Sequence, residues 1–170
     1  IDGGVRSIEH GNLMDAATAQ VMAEAGAFLV PTLVTYDAMG RHGSELGMAP
    51  VALAKNAEVL DHGKAAIAHA MAAGVPVGFG SDLMGDLERE QLHGLRLQSE
   101  VTGVLDLLRS LTSVNAALLR EERLGRIGAG AAGDVLIFDG NPLERPELLW
   151  SDQRPTIVLD GVPVHGGDLS

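Results

Sequence analysis

The chain has 170 residues, 46% of them hydrophobic, enough to bury one sizeable core and too apolar for a disordered segment. It carries 12 basic and 23 acidic residues, a formal charge of -11, and no basic stripe, which argues against a nucleic-acid partner. No stretch reads as a signal, transit or membrane-spanning segment, and the absence of cysteine excludes disulfides and thiolate metal sites, so a metal here needs imidazole and carboxylate.

In chain order, Val5 to Glu9 predicts a short strand that delivers His10-Gly11-Asn12 at its C-terminal end. Asp15 then caps a helix running to about Ala25 and stopped by Gly26. Phe28 to Val34 is a compact apolar run that predicts a buried strand, although Pro31 costs it a ladder hydrogen bond. Tyr36 to Met48, with three glycines and mixed polarity, predicts a long loop. Pro50 opens a helix in which Leu53, Ala57, Leu60, Ile67 and Met71 recur near helical spacing, ending at Gly74. Val75 to Gly80 predicts a third strand, delivering Ser81-Asp82. A leucine-rich helical region follows from about Leu87 to Leu119, broken near Gly103 and Thr112.

From Leu124 the character changes. Leu124 to Gly133 is a glycine-rich turn region, Asp134 to Phe138 a strand, and Asp139-Gly140-Asn141-Pro142 a turn. Thr156 to Leu159 and Val162 to His165 flank Asp160-Gly161, a hairpin signal in which Asp-Gly supplies positive φ. The preceding alternation of strands and helices predicts a parallel sheet with helices outside it, and a barrel is the natural closed form. At about 31 residues per unit of an eight-unit barrel, the interval from His10 to Asp82 holds two units and one enlarged loop.

His10 and Asp82 then fall at the C-terminal ends of parallel strands, the rim where such barrels place their active sites. Position makes them candidates, although a lone His or Asp after a strand is more often a capping residue. Tyr36 lies at the same expected rim, where its hydroxyl would meet a substrate carboxylate or a developing oxyanion; otherwise it is a loop tyrosine half-buried beside Pro31. His93 would reach substrate from the last loop, or else it is simply solvated. His62 and His69 share a helix face but stand about 10 Å apart, and both read as surface residues. The run Asp86-Leu87-Glu88-Arg89-Glu90 reads as a solvated helix start. Gly128 to Gly133 lacks the Lys-Ser/Thr ending of a phosphate loop.

The wording around these residues is more specific. Ser7-Ile8-Glu9-His10-Gly11, then Gly78-Phe79-Gly80-Ser81-Asp82, then Leu124-Gly125-Arg126-Ile127 and Ala132-Gly133-Asp134 through Leu143, in that order, resemble the amidohydrolase superfamily of metal-dependent hydrolases. Val34-Thr35-Tyr36-Asp37-Ala38 and Gly78 to Gly85 look closest to its zinc-dependent Xaa-Pro and Xaa-Arg dipeptidase and carboxypeptidase branch, which includes ochratoxin-type amide hydrolases. The resemblance covers nearly the whole chain. It implies an α/β fold: residues 1–123 as the C-terminal part of a (β/α)8 TIM barrel, strands six to eight, and residues 124–170 as the C-terminal strands of a small composite β-sandwich.

By the same resemblance, His10 is a metal ligand, and Asp82 contacts metal and shuttles the proton of the attacking water. One or two zinc ions are implied. Their remaining ligands, a His-x-His pair, a lysine that is often carboxylated and a further His, are expected in an N-terminal portion preceding Ile1. The implied activity is hydrolysis of an amide or peptide C–N bond in a small dipeptide-like or N-acyl amino acid substrate. The whole enzyme is expected to be cytoplasmic and homo-oligomeric, and this stretch alone inactive. The alternatives are an imidazolonepropionase-like cyclic amidohydrolase or aminohydrolase on the same scaffold, and an incomplete fragment acting only in folding or assembly.

Overall fold

Strand β1 (Ser7–Glu9) pairs in parallel with β2 (Phe28–Val30), and the connection is helix α1 (Ala16–Glu24). Asp15 caps α1 by accepting the backbone N–H of Thr18 at 2.8 Å, as its place before the helical run predicts. The computed structural model describes residues 1–165; the last five residues of the stretch expected to supply sandwich strands, 166–170, lie outside the described residues. A third parallel segment, around Val77, joins the far side of β2: Leu29 N–H donates to the Pro76 carbonyl at 3.0 Å, and Gly78 N–H donates to the Leu29 carbonyl at 2.8 Å.

That third segment is a single bridge rather than the strand expected over Val75 to Gly80. The next rung would need an N–H at Pro31, which has none, so the ladder stops there. Proline also ends β2: the strand expected to run to Val34 closes at Val30, and Leu33 and Val34 open helix α2 (Leu33–His42). The expected loop from Tyr36 is therefore helical as far as His42. Two glycines within and just beyond α2 do not prevent it, because its Leu33, Val34, Thr35 and Ala38 are buried and tertiary packing outweighs propensity.

Helix α3 (Pro50–Ala73) begins with proline in its first turn and ends on left-handed Gly74 (φ 80°), as expected. Its Ala66, Ile67 and Ala70 are buried with Leu29, Val75, Val77, Ala19 and Met22, so the core lies between the parallel segments and the helices α1 and α3. The small alanines let the helix backbone lie close to the sheet. Beyond Asp82 come a 3₁₀ turn (Gly85–Glu90), α4 (Gln91–Thr102), α5 (Val104–Arg109), a π-helical turn (Ser110–Val114) and α6 (Asn115–Leu119). The breaks fall at Gly103 and across Thr112, where they were expected.

The tail forms an antiparallel sheet in the order β3 (Val135–Ile137), β4 (Thr156–Leu159), β5 (Val162–His165). The hairpin between β4 and β5 turns on Asp160 (φ 50°) and Gly161 (φ 79°), as the Asp-Gly pair predicts. A register irregularity at Ile157/Val158 faces Pro163, which is tolerated because β5 is an edge strand. Leu148 and Leu149, in a 3₁₀ turn over Pro146–Leu149, are buried, and this turn packs on α4.

Candidate active site

The last rung of β1 is the His10 N–H donating to the Val30 carbonyl at 3.0 Å. Immediately afterwards the chain turns into the left-handed region, with φ 65° at His10 itself. The imidazole is held from one side by Thr32, whose Oγ1 lies 2.7 Å from Nδ1. Thr32 is only 3% exposed and stands at the start of α2, so β2 and α2 together fix the ring. The ring of Tyr36, on the first turn of α2, stands at right angles to that of His10 with centroids 6.3 Å apart.

Asp82 follows the third parallel segment and is the second candidate at the same end of the sheet. With Glu9 opposite Val30 and Leu29 opposite Val77, His10 and Asp82 both leave the C-terminal ends of their segments. Two strand spacings, about 10 Å, separate those segments. Asp82 is exposed and adopts φ 50°. Among the described residues only four non-glycine residues have positive φ: His10, Asp82, Arg120 and Asp160. Arg120 is the left-handed cap of α6, and Asp160 is the hairpin turn. His10 is the centre of a tight turn closed by the Gly11 N–H on the Glu9 carbonyl at 2.8 Å, and neither it nor Asp82 caps a helix or joins a hairpin. Non-glycine residues in this region cost about 1–3 kcal/mol and gather at functional sites.

His93 lies on α4 rather than in a loop, and its Nε2 is 3.1 Å from Asp37 Oδ2. Asp37 also accepts Arg41 Nε at 2.7 Å. The Arg41 guanidinium reaches on to Glu90 at 2.9 Å, and Glu90 meets His42 Nε2 at 3.1 Å. The hydrogen bond from Arg41 holds the Glu90 carboxyl below the usual carboxylate range, and that carboxylate in turn raises the pKa of Arg41. The acidic run expected to be wholly solvated thus ends on a carboxylate tied to α2. His62 is exposed and His69 half-buried on α3.

Four residues that sequence reasoning did not single out support these positions: Thr32, Asp37, Gln98 and Asn115. Gln98 is 2% exposed and donates from Nε2 to the Gly78 carbonyl at 3.0 Å. That carbonyl is the one Pro31 leaves without a ladder partner. Asn115 accepts the Phe79 N–H at 3.1 Å and donates to the Phe79 carbonyl at 3.0 Å. A polar residue on the helix twenty places after Gly78 was a readable hint for Gln98 only once the strand pairing was known.

The amidohydrolase family model matches residues 1–164. The chain belongs to the amidohydrolase family. An uncharacterized protein of Mycobacterium tuberculosis is 31% identical over 163 residues, 94% of this chain and 42% of its own length. The chain therefore spans under half the length of the curated relatives it matches. Among solved structures, a prolidase complexed with N-methylphosphonate-L-proline is 45% identical with a TM-score of 0.89, covering 95% of this chain and 40% of that one. A Xaa-Pro dipeptidase with methionine bound in its active site is 26% identical with a TM-score of 0.81, covering 97% and 41%. The mixed α/β arrangement is thus that of part of an amidohydrolase.

Members of this family are generally metal-dependent, so the donor set can be tested against a metal. With Nδ1 of His10 engaged by Thr32, Nε2 is the ring nitrogen left for a ligand, and neutral imidazole with carboxylate is a donor pair that suits zinc. The number is short of a site: among the described residues no three His, Cys, Asp or Glu side chains gather where they would hold one ion. Among them, too, no helix is long and apolar enough to cross a membrane.

Proposed function

We propose that this chain is the C-terminal part of a (β/α)8 barrel, residues 1–123, followed over 124–170 by strands of a composite β-sandwich. The whole protein, on this reading, hydrolyses the C–N bond of a small dipeptide-like substrate with one or two zinc ions. The observation that carries it is the pair of positive-φ residues, His10 and Asp82, at the C-terminal ends of parallel segments with no cap or hairpin to account for either. The 45%-identical prolidase structure complexed with a proline derivative supports a Xaa-Pro dipeptide as the substrate class.

His10 and Asp82 would supply two of the zinc ligands, and residues beyond this chain the others. Zinc at such a centre lowers the pKa of water to roughly 7 and so makes a nucleophile available at neutral pH. Asp82, exposed at the rim, takes the proton of the attacking water and returns it to the leaving amine, which would otherwise depart as a poor anionic leaving group. Thr32 fixes the face of the His10 ring. Tyr36, whose ring stands at right angles to that of His10, would offer its hydroxyl to the substrate's carboxylate or the developing oxyanion. His93, held by Asp37, would reach the substrate from α4.

The test is made in the full-length protein with alanyl-proline as substrate. Asp82→Asn is expected to lower turnover by at least about 10²-fold with most of the metal retained, because the amide fills the space without accepting a proton. His10→Ala is expected to lower metal content together with activity. A fully active Asp82→Asn variant, or full metal occupancy in His10→Ala, overturns the assignment.

A further inference from the structure

Alternate residues of a parallel strand face opposite neighbours, and the segment leading to Asp82 keeps that alternation. The Pro76 carbonyl and Gly78 N–H face β2. Val77 and Phe79 face the other way, and what meets them is a row of side chains. Ser110 Oγ donates to the Val77 carbonyl at 2.6 Å, while the Asn115 amide takes both the N–H and the carbonyl of Phe79. On the β2 side, Gln98 completes the Gly78 carbonyl. Every one of these donors comes from the helical stretch between α4 and α6. The π-helical turn over Ser110–Val114 shifts the helical phase between Ser110 and Asn115, and such turns gather at functional sites.

We infer that Asn115 is a positioning residue for Asp82, its carboxamide standing in for a neighbouring strand on the backbone three residues before the candidate proton shuttle. The inference rests on the proposed role of Asp82. A carboxamide offers one acceptor and one donor side by side, and both are used on a single residue, so Phe79 is fixed in direction as well as in place. The fit is close. A Cβ on Gly78 would stand 2.5 Å from Asn115 Oδ1, and one on Gly80 would stand 2.8 Å from Val30 Cγ1. With Gly80 and Ser81 the only residues between the clasp and Asp82, a displacement of Phe79 passes directly to the carboxylate. A misplacement of about 1 Å at a reacting group costs on the order of 10²-fold in rate.

The experiment compares Asn115→Ala, Ser110→Ala and Asp82→Asn in the full-length protein, measuring kcat and KM for alanyl-proline, metal content and thermal stability. Asn115→Ala is expected to lower kcat by about 10- to 100-fold, with KM within about twofold and metal content unchanged. Ser110→Ala removes a bond of the same kind from the same edge, five residues before Asp82 instead of three. It is expected to lower stability while leaving kcat at the parent level. Should Asn115→Ala fail to fold, Asn115→Asp, which keeps the acceptor for Phe79 N–H at nearly the same volume, takes its place with the same reading. A kcat at the parent level in the folded Asn115 variant, or equal falls in kcat for the Asn115 and Ser110 variants, overturns the inference while Asp82→Asn stays inactive. Full turnover in Asp82→Asn overturns the reading of the site and this inference with it.

Discussion

The two sheets of this molecule solve the same problem in different ways. In the tail, β3, β4 and β5 satisfy one another through an antiparallel ladder, and the one positive-φ non-glycine residue there, Asp160, is in the turn that joins two of them; its N–H is taken by the Asp134 side chain at 2.8 Å. In the parallel sheet the ladder is cut short by Pro31, and Gln98, Ser110 and Asn115 hold with side chains what strands usually hold with backbone. Its positive-φ non-glycine residues, His10 and Asp82, join no hairpin and cap no helix. A sheet that serves only as a scaffold has local reasons for its irregularities. A sheet whose irregularities are held from a distance has residues to aim.

The sharpest break in this comparison is burial. Leu29 is fully buried between the parallel segments and α3, whereas Leu136 on β3 is 55% exposed. Leu29→Ala is expected to cost about 2–5 kcal/mol of folding stability, and Leu136→Ala no more than about 0.5 kcal/mol, read from denaturant midpoints. A cost for Leu136→Ala close to that of Leu29→Ala would mean that the face of the tail sheet is covered in the whole protein, as the composite sandwich requires. Next in size is Gln98→Leu, which leaves the buried Gly78 carbonyl without a donor. The expected loss is about 1–3 kcal/mol, with faster hydrogen exchange at the Gly78 N–H. An unchanged midpoint would mean that the carbonyl has another partner and that the proline gap needs no repair.

What was legible in the sequence followed local chemistry. Asp15, Pro50, Gly74, Gly103 and the Asp160-Gly161 turn act on their immediate neighbours, and each stands where the sequence places it. The candidates His10 and Asp82 were legible from motif wording, and the structure puts both at one end of the sheet. The rest depended on partners far along the chain. Leu33 and Val34 look like the end of a strand and Tyr36 to His42 like a loop because apolar runs and glycines are read locally, while the helix there is stabilised by burial of Leu33, Val34 and Ala38. The strand expected at Val75 to Gly80 is cut short by a proline some fifty residues earlier, and the bonds that replace its rungs come from Gln98, Ser110 and Asn115, twenty to thirty-six residues later. Periodicity carries no trace of such pairings.

The smallest effect concerns how the loop after Asp82 is tied to α2. Glu90 ends the 3₁₀ turn that follows Asp82, and it meets Arg41 at 2.9 Å, His42 at 3.1 Å and, more loosely, Arg89 at 3.8 Å. The Arg41 hydrogen bond is the main cause of its lowered pKa. A carboxyl whose pKa is lower folded than unfolded contributes its stability in full above the unfolded value, here 4.5, and loses it as pH falls through the folded value. Arg41, whose pKa is raised, stays charged across that window and adds no slope of its own. Because Arg41 is well exposed, solvent screens the pair, and its worth is on the order of 0.2–1 kcal/mol. Glu90→Gln is therefore expected to be slightly less stable than the parent at pH 7. The two should converge as pH is lowered below about 4.5, measured as the difference in denaturant midpoint at each pH. A gap that persists at low pH would assign the loss to packing of the glutamate stem rather than to its charge.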